Sequence, residues 1–289
     1  MMERRNLGPS ACVVSKLMLG TWRIDEMGSG LSDAADLVRR ACDLGINAFD
    51  TGASYANGSA EAILARGLMG IRRDTYVLSL KAGLFYANGV AHVSISKTDL
   101  VRSLETSLRS LATDYVDILQ FYRFDGNARF EEALEAAGQL VATGKVKYLA
   151  LSDYARLGVN YVLGICDALH LPRPVANFCR LNLLDQRPLS LLGYLTKLGI
   201  ASIAYSPLAE GLLASSEGSF VGRRESTRER WLEFMNPATF IALCREAKTR
   251  GVMPSAVALQ WVCDQPGIMS TVIGARTVEQ LEQCVAAVA

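Results

Sequence analysis

Histidine is nearly missing from this chain: there are two, His92 and His170. Chemistry that needs an imidazole has almost no candidates, and a histidine-built metal site has too few ligands. Cysteine is present but unorganised. Cys12, Cys42, Cys166, Cys179, Cys244, Cys263 and Cys284 are scattered, odd in number and without a CxxC pair. That pattern argues against a disulfide framework or a zinc site and for buried or half-buried free thiols. Charge of one sign is also lacking. Thirty basic and 29 acidic residues give a net charge of +1, so there is no electrostatic case for nucleic acid or an anionic membrane as a partner. No apolar run reaches the ~20 residues that span a bilayer. The opening MMERRNLG has no apolar signal core behind it. The expectation is a cytoplasmic protein without a metal, a nucleic-acid partner or a membrane; the oligomeric state is not legible.

What is present is alternation. Residues 2–14 suit a small hairpin turning at Gly8-Pro9-Ser10, a lid on one end of a barrel. Eight segments read as strands: Leu17–Gly20, Ile46–Asp50, Thr75–Leu80, Val116–Gln120, Val146–Ser152, Val175–Phe178, Ala201–Ser206 and Thr271–Ile273. Between and after them, helical spacing covers Ser32–Leu44, Glu61–Met69, Ser96–Leu111, Phe130–Thr143, Leu157–Leu169, Leu189–Leu198, Ala238–Thr249, Ser255–Asp264 and Val278–Val288. Strands that are mostly apolar throughout suit a sheet buried on both faces. The reading is α/β, a (β/α)8 TIM barrel with an N-terminal β-hairpin lid, in one domain over residues 1–289. An open doubly wound sheet is the competitor, disfavoured because no GxGxxG follows the first strand. Leu208–Met235 reads as one long irregular loop over a site; within it the alternately charged Arg223–Arg230 reads as solvated.

In such barrels catalytic groups gather at the C-terminal ends of strands. Asp50, Lys81, Tyr122, Ser152 and Tyr205-Ser206 all fall there. Reducing a carbonyl requires a hydride on carbon and a proton on oxygen. A tyrosine hydroxyl can supply that proton, but its ordinary pKa is near ~10. A neighbouring ammonium would stabilise the phenolate and lower that value, and a buried carboxylate would hold the ammonium in place. Tyr55, Lys81 and Asp50 can fill these three roles. Asp50 alone is as readily a turn or helix-cap residue; the lysine ending an apolar strand is what asks for a partner.

The segment Phe49-Asp50-Thr51-Gly52-Ala53-Ser54-Tyr55-Ala56-Asn57-Gly58, followed by Glu61, resembles the signature of the aldo-keto reductases. Leu78-Ser79-Leu80-Lys81 is similar to the strand that delivers their lysine. Further blocks match in order: Leu104–Gln120, Gly144–Tyr148, Ala204–Leu208, and Val272–Arg276 with Glu279-Gln280-Leu281. The resemblance implies Tyr55 as general acid, tuned by Lys81 and Asp50, with Tyr122 as the fourth catalytic-site group. It implies a substrate pocket with Trp22, Tyr55 and Tyr122, joined by Phe85 and Tyr86 from their place after Lys81. Contacts to a nicotinamide cofactor are implied for Gly20, Thr21, Asp50, Ser152, Asp153 and Phe178. Tyr205 would stack on the nicotinamide, and Ser206, Leu208, Gly211 and Leu212 would approach the pyrophosphate. Gly274, Arg276 and Gln280 would hold the adenosine end. An arginine there suits a 2′-phosphate and favours NADPH.

Four positions depart from the family's pattern. Tyr122 replaces a histidine, Asp153 an asparagine, Phe178 a glutamine and Cys284 an asparagine. Asp153 can still accept from a carboxamide NH2 but cannot donate to its oxygen. The expectation is an NADPH-dependent reductase of a small aldehyde or ketone. Tyr122 keeps open an enoyl reductase acting on the C=C bond of a conjugated carbonyl. A redox-neutral lyase or isomerase, or a cofactor-sensing subunit on the same scaffold, are further alternatives.

Overall fold

The computed structural model describes residues 2–26, 31–87, 90–122, 130–214 and 225–289; the side chains of residues 31–33, 84–87 and 91–93 lie outside that description. An antiparallel hairpin comes first, β1 (Arg4–Asn6) and β2 (Val13–Ser15), with Arg4 opposite Ser15. Its turn is closed by Leu7 N–H to Cys12 C=O at 2.9 Å and by the Ser10 hydroxyl to Leu7 C=O at 2.6 Å. Gly8 has φ +56°, and a Cβ there would lie 2.2 Å from the Gly199 carbonyl oxygen. Only glycine fits a left-handed residue pressed so closely on another loop.

The barrel strands follow: β3 (Leu17–Gly20), β4 (Ala48–Thr51), β5 (Val77–Ala82), β8 (Val116–Tyr122), β9 (Val146–Ser152), β10 (Ala176–Arg180), β11 (Ala201–Tyr205) and β12 (Ile268–Ile273). Among the described residues these eight close into a parallel barrel in that order, with β12 beside β3. The open-sheet alternative is thereby removed. A short antiparallel ribbon, β6 (Leu84–Ala87) with β7 (Val90–Val93), rises after β5 and was not foreseen.

The helices are α1 (Leu31–Asp43), α2 (Ala60–Leu68), α3 (Lys97–Ser110), α4 (Phe130–Ala142), α5 (Arg156–Ala168), α6 (Leu189–Lys197), α7 (Glu225–Trp231), α8 (Pro237–Arg250), α9 (Pro254–Cys263) and α10 (Val278–Ala286). Their ends follow local chemistry. Asn236 caps α8 by accepting from Ala238 N–H at 3.0 Å, Pro237 opens it, and left-handed Gly251 closes it. The segment expected to be irregular from Leu208 to Met235 instead contains a 3-10 turn at Ala209–Ala214, then α7 and a second 3-10 turn at Leu232–Phe234; residues 215–224 lie outside the described residues. The cause is tertiary: buried Trp231 packs with Leu212, Leu213 and Phe240, an anchor that charge alternation does not reveal.

Alternation along each strand divides the core in two. Met18, Ala48, Ile118, Ala150, Phe178, Ile203 and Val272 fill the barrel interior, and Leu7, Cys12 and Val14 of the hairpin pack against them. Leu17, Leu19, Phe49, Leu80, Leu119 and Leu151 face the helices. The hairpin is tied on by Asn47, whose Oδ1 accepts from Ser15 N–H at 2.7 Å and whose Nδ2 donates to Val13 C=O at 3.0 Å. Asn47→Ala leaves both backbone groups short of a partner. We predict a loss of about 2–3 kcal/mol in chemical unfolding; a change below about 0.5 kcal/mol would show that the lid is held by packing alone.

Candidate active site

The same two-residue period that fills the barrel brings its C-terminal rim together. Inward positions continue from Met18 to Gly20, from Ala48 to Asp50, from Val77 through Ser79 to Lys81, and from Ile118 through Gln120 to Tyr122. Ser152, Phe178 and Tyr205 extend the series of β9, β10 and β11. Gly20 is set by packing, since a Cβ there would meet Val272 Cγ1 at 2.7 Å. Thr21 is fully buried and spends its hydroxyl on Asp50 C=O at 3.1 Å and the Thr51 hydroxyl at 2.9 Å.

At the centre is a buried ion pair. Lys81 Nζ lies 3.2 Å and 3.4 Å from the two Asp50 oxygens and donates to Gln120 Oε1 at 3.0 Å. Gln120 in turn donates from Nε2 to Asp50 Oδ1 and, at 2.7 Å, to the Ser79 hydroxyl. Gln120 and Ser79 are completely buried. A buried lysine requires acceptors for its protons, and these side chains supply them. The Lys81 ammonium also lies 5.6 Å from the ring centres of Tyr55 and Phe178.

Tyr55 opens a 3-10 turn, Tyr55–Gly58, in which Ala56 and Asn57 have φ of 49° and 52°. Ala56 N–H donates to Trp22 C=O at 3.0 Å, joining this turn to the loop after β3. The phenol differs from expectation in one respect. Burial, with Asp50, Tyr122 and Asp153 acting in the same direction, holds its pKa well above the ordinary tyrosine value. The expected lowering by Lys81 is outweighed by that burial, and the ammonium is itself engaged by Asp50 and Gln120.

Across the mouth, Tyr205 donates its hydroxyl to Asp153 Oδ2 at 2.7 Å. Burial and Asp153 both push the Tyr205 phenol up, with Tyr122 adding to the effect. Asp153 has φ +62°, a conformation that short polar residues tolerate. It is fixed by its N–H to Phe178 C=O at 2.8 Å, while Asn177 holds the backbone of Tyr154 on both sides. A cavity of about 760 Å³ opens beside them, lined in part by Asp153, Asn177, Arg180, Arg187 and Tyr205. Phe178, almost fully buried, faces the barrel interior.

Ser206 has φ +54° and gives its carbonyl to Asn182 Nδ2 at 2.9 Å. Leu208 accepts from Gly211 N–H at 2.9 Å, and the Leu212 side chain is buried with Trp231. Glu210 stands between them in a left-handed conformation, φ 55°. Its buried carboxylate accepts from Arg23 at 3.1 Å, from the Thr227 hydroxyl at 2.9 Å, from Trp231 Nε1 at 3.2 Å, and from Arg230. Arg23 and Arg230 both lie over the exposed indole of Trp22, at 4.2 Å and 5.2 Å. Arg230 is therefore not the solvated charge it was read to be.

Farther round the rim, Arg276 is exposed and has no ion-pair partner among the described residues. Its N–H is accepted by Gln280 Oε1 at 2.9 Å, so Gln280 spends that oxygen within the chain. Nothing lies within 4 Å of a Cβ built on Gly274, leaving open space beside the backbone. Cys284 is buried, and burial pushes its thiol up to about 11. Phe85 and Tyr86 fall on β6, but their side chains lie outside the described residues. His170 is exposed just beyond α5 rather than on the rim.

A lysine–carboxylate pair and a tyrosine thus stand together at the C-terminal mouth of a closed parallel barrel. The chain belongs to the aldo/keto reductase family, whose sequence profile matches residues 16–289. It is 30% identical over 303 residues to the L-glyceraldehyde 3-phosphate reductase of Escherichia coli (strain K12), spanning 99% of this chain and 87% of the relative. It is 29% identical over 302 residues to a putative voltage-gated potassium channel subunit beta of Schizosaccharomyces pombe, spanning 98% and 87%. The holo form of aldo-keto reductase AKR11C1 from Bacillus halodurans shares the fold, with TM-score 0.79, 24% identity, and coverage of 100% of this chain and 91% of that one.

Sequence reasoning missed Gln120, Ser79, Asn177 and Glu210. The first two carried a signal: each is a polar residue two positions before a rim residue, hence inward. Glu210 carried none, because its partners come from distant segments. Gln120→Met keeps the volume but leaves Lys81, Asp50 and Ser79 each short of a hydrogen bond. The expected cost in equilibrium unfolding is about 2–4 kcal/mol, whereas a value near zero would mean that the ion pair does not depend on the amide.

Proposed function

We propose that the chain is an NADPH-dependent reductase of aldehydes or ketones, with Tyr55 as the proton donor. The observation that carries this reading is the Lys81 ammonium, fixed by Asp50 and Gln120 and standing 5.6 Å from the Tyr55 ring centre. Tyr55 remains protonated at neutral pH because burial favours its neutral form. As the carbonyl oxygen gains negative charge, Tyr55 Oη passes its proton to it, and Lys81 stabilises the phenolate left behind. The low local dielectric that raises the phenol's pKa also strengthens that ammonium–phenolate attraction at the moment it is needed.

The residues present fit the cofactor. Tyr205 offers an aromatic face beside Asp153, Gly274 leaves open space along the backbone, and Arg276 carries a guanidinium without an ion-pair partner. When bound, the dinucleotide supplies the hydride. Arg276 would hold the 2′-phosphate, Ser206 through Leu212 would approach the pyrophosphate, and Ser152, Asp153, Phe178 and Tyr205 would position the nicotinamide. Trp22, Tyr122 and the β6 residues Phe85 and Tyr86 would shape the substrate side. The name of the Escherichia coli relative supports an aldehyde as substrate.

Tyr122, standing where the family has histidine, favours one second reading: an enoyl reductase on the same cofactor. A phenol reaches farther than an imidazole and can donate one hydrogen bond to a conjugated carbonyl. In that case Tyr122 orients the oxygen while reduction occurs at the C=C bond.

Both readings are tested by following the reduced-nicotinamide absorbance with a panel of aldehydes, ketones and enones. Tyr55→Phe is expected to lower carbonyl reduction by about 10²–10⁴-fold while NADPH affinity stays within about twofold. Retained turnover would remove Tyr55 from the mechanism. Tyr122→His is expected to raise simple-aldehyde turnover relative to enone turnover. An unchanged ratio would show that Tyr122 only packs.

A further inference from the structure

Charge compensation at the barrel mouth is uneven. Lys81 is paired with Asp50, and Arg180 and Arg187 are both paired with buried Asp185, at 2.9 Å and 2.8 Å. Arg23 and Arg230 are both paired with Glu210. Asp153 is different. It is exposed to the mouth, its one side-chain partner is the neutral Tyr205 hydroxyl at 2.7 Å, and no cation among the described residues lies within ion-pair distance. Its backbone is held in the left-handed region by Phe178 and flanked by the Asn177 clamp, so the carboxylate is aimed rather than free to swing away. Its charge reaches Tyr205 and Tyr55, on opposite sides of the mouth, and more weakly Arg187, which is itself held by Asp185.

A carboxylate with no cation in contact, bonded to the edge of an aromatic ring, is a recognition element for a flat cation. The carboxylate supplies the charge and the ring supplies a π face. A nicotinamide dinucleotide has such a cation in one of its redox forms only. The oxidised ring is a pyridinium, and the reduced ring is neutral.

We propose that Asp153 makes this mouth select the oxidised form of the nicotinamide dinucleotide over the reduced form. The inference rests on the cofactor reading above and goes beyond it. Tyr205 acts as the positioning residue that holds the carboxylate beside the ring. By favouring the oxidised form, the site pulls the bound equilibrium toward reduced substrate and retains the spent cofactor more tightly than the fresh one. An asparagine at the same position keeps the shape and tolerates the left-handed backbone but removes the charge, so it should lose this preference.

The test measures equilibrium dissociation constants for NADP+, NADPH and 2′-phospho-ADP-ribose, which lacks the ring, with the intact chain and with Asp153→Asn. The substitution is expected to lower the preference for NADP+ over NADPH about tenfold, a solvent-exposed charge effect reduced by screening, since any hydrogen bond from the new amide to the carboxamide is common to both redox forms and cancels in the ratio, and to change the ring-free probe by less than about twofold. Tyr205→Phe, which frees the carboxylate, is expected to narrow the NADP+ preference in the same direction. An unchanged NADP+ to NADPH ratio in Asp153→Asn would overturn the inference while leaving the cofactor reading in place. Failure of the intact chain to bind any of the three would overturn both.

Discussion

A lysine ammonium inside a barrel must be compensated, and that requirement organises the rim of this protein. Lys81 is the next-to-last residue of β5, in a position where water cannot solvate it well. Asp50 supplies the opposite charge from the neighbouring strand, and Gln120 supplies an acceptor from the strand on the other side. Because β4, β5 and β8 are adjacent and in register, the three side chains need no loop to bring them together. The strand positions then leave the ammonium beside Tyr55, which the loop after β4 supplies. Breaking the pair would leave a buried charge with no partner, which costs more than the pair itself contributes.

The second constraint is the attachment of the loops that surround this centre. Glu210 gathers donors from the loop after β3, from α7 and from the indole of buried Trp231. Arg180 and Arg187, both anchored to Asp185, lie against Phe234, and Arg180 also against Trp231. The loop after β11 is thus tied to three sides of the mouth through charged groups that face inward. Exposed ion pairs contribute little; these carboxylates are buried, so loss of either would free the wall of the proposed cofactor groove.

The barrel was legible because continuous apolar strands and capped helices alternate, and strand limits such as Val146–Ser152 coincide with those expected. Asp50, Tyr55 and Lys81 were legible as a group because each closes a strand or opens the next loop. Period-two alternation would also have reached Gln120 and Ser79. The β6–β7 ribbon, α7 and the Glu210 cluster were not legible. Their stability comes from contacts between segments far apart in sequence, which leave no local pattern. The direction of the Tyr55 shift was missed because spacing shows that Lys81 is near, but not how deeply the phenol is buried.

The account predicts where a carbonyl oxygen must sit. The direct test is a structure of the protein with oxidised dinucleotide and an unreactive carbonyl analogue bound together. The analogue's oxygen should lie about 2.6–3.2 Å from Tyr55 Oη, with Lys81 still held by Asp50 and Gln120 behind the phenol. An oxygen bound out of reach of Tyr55, or a Lys81 that has left Asp50 to contact the analogue itself, would contradict it.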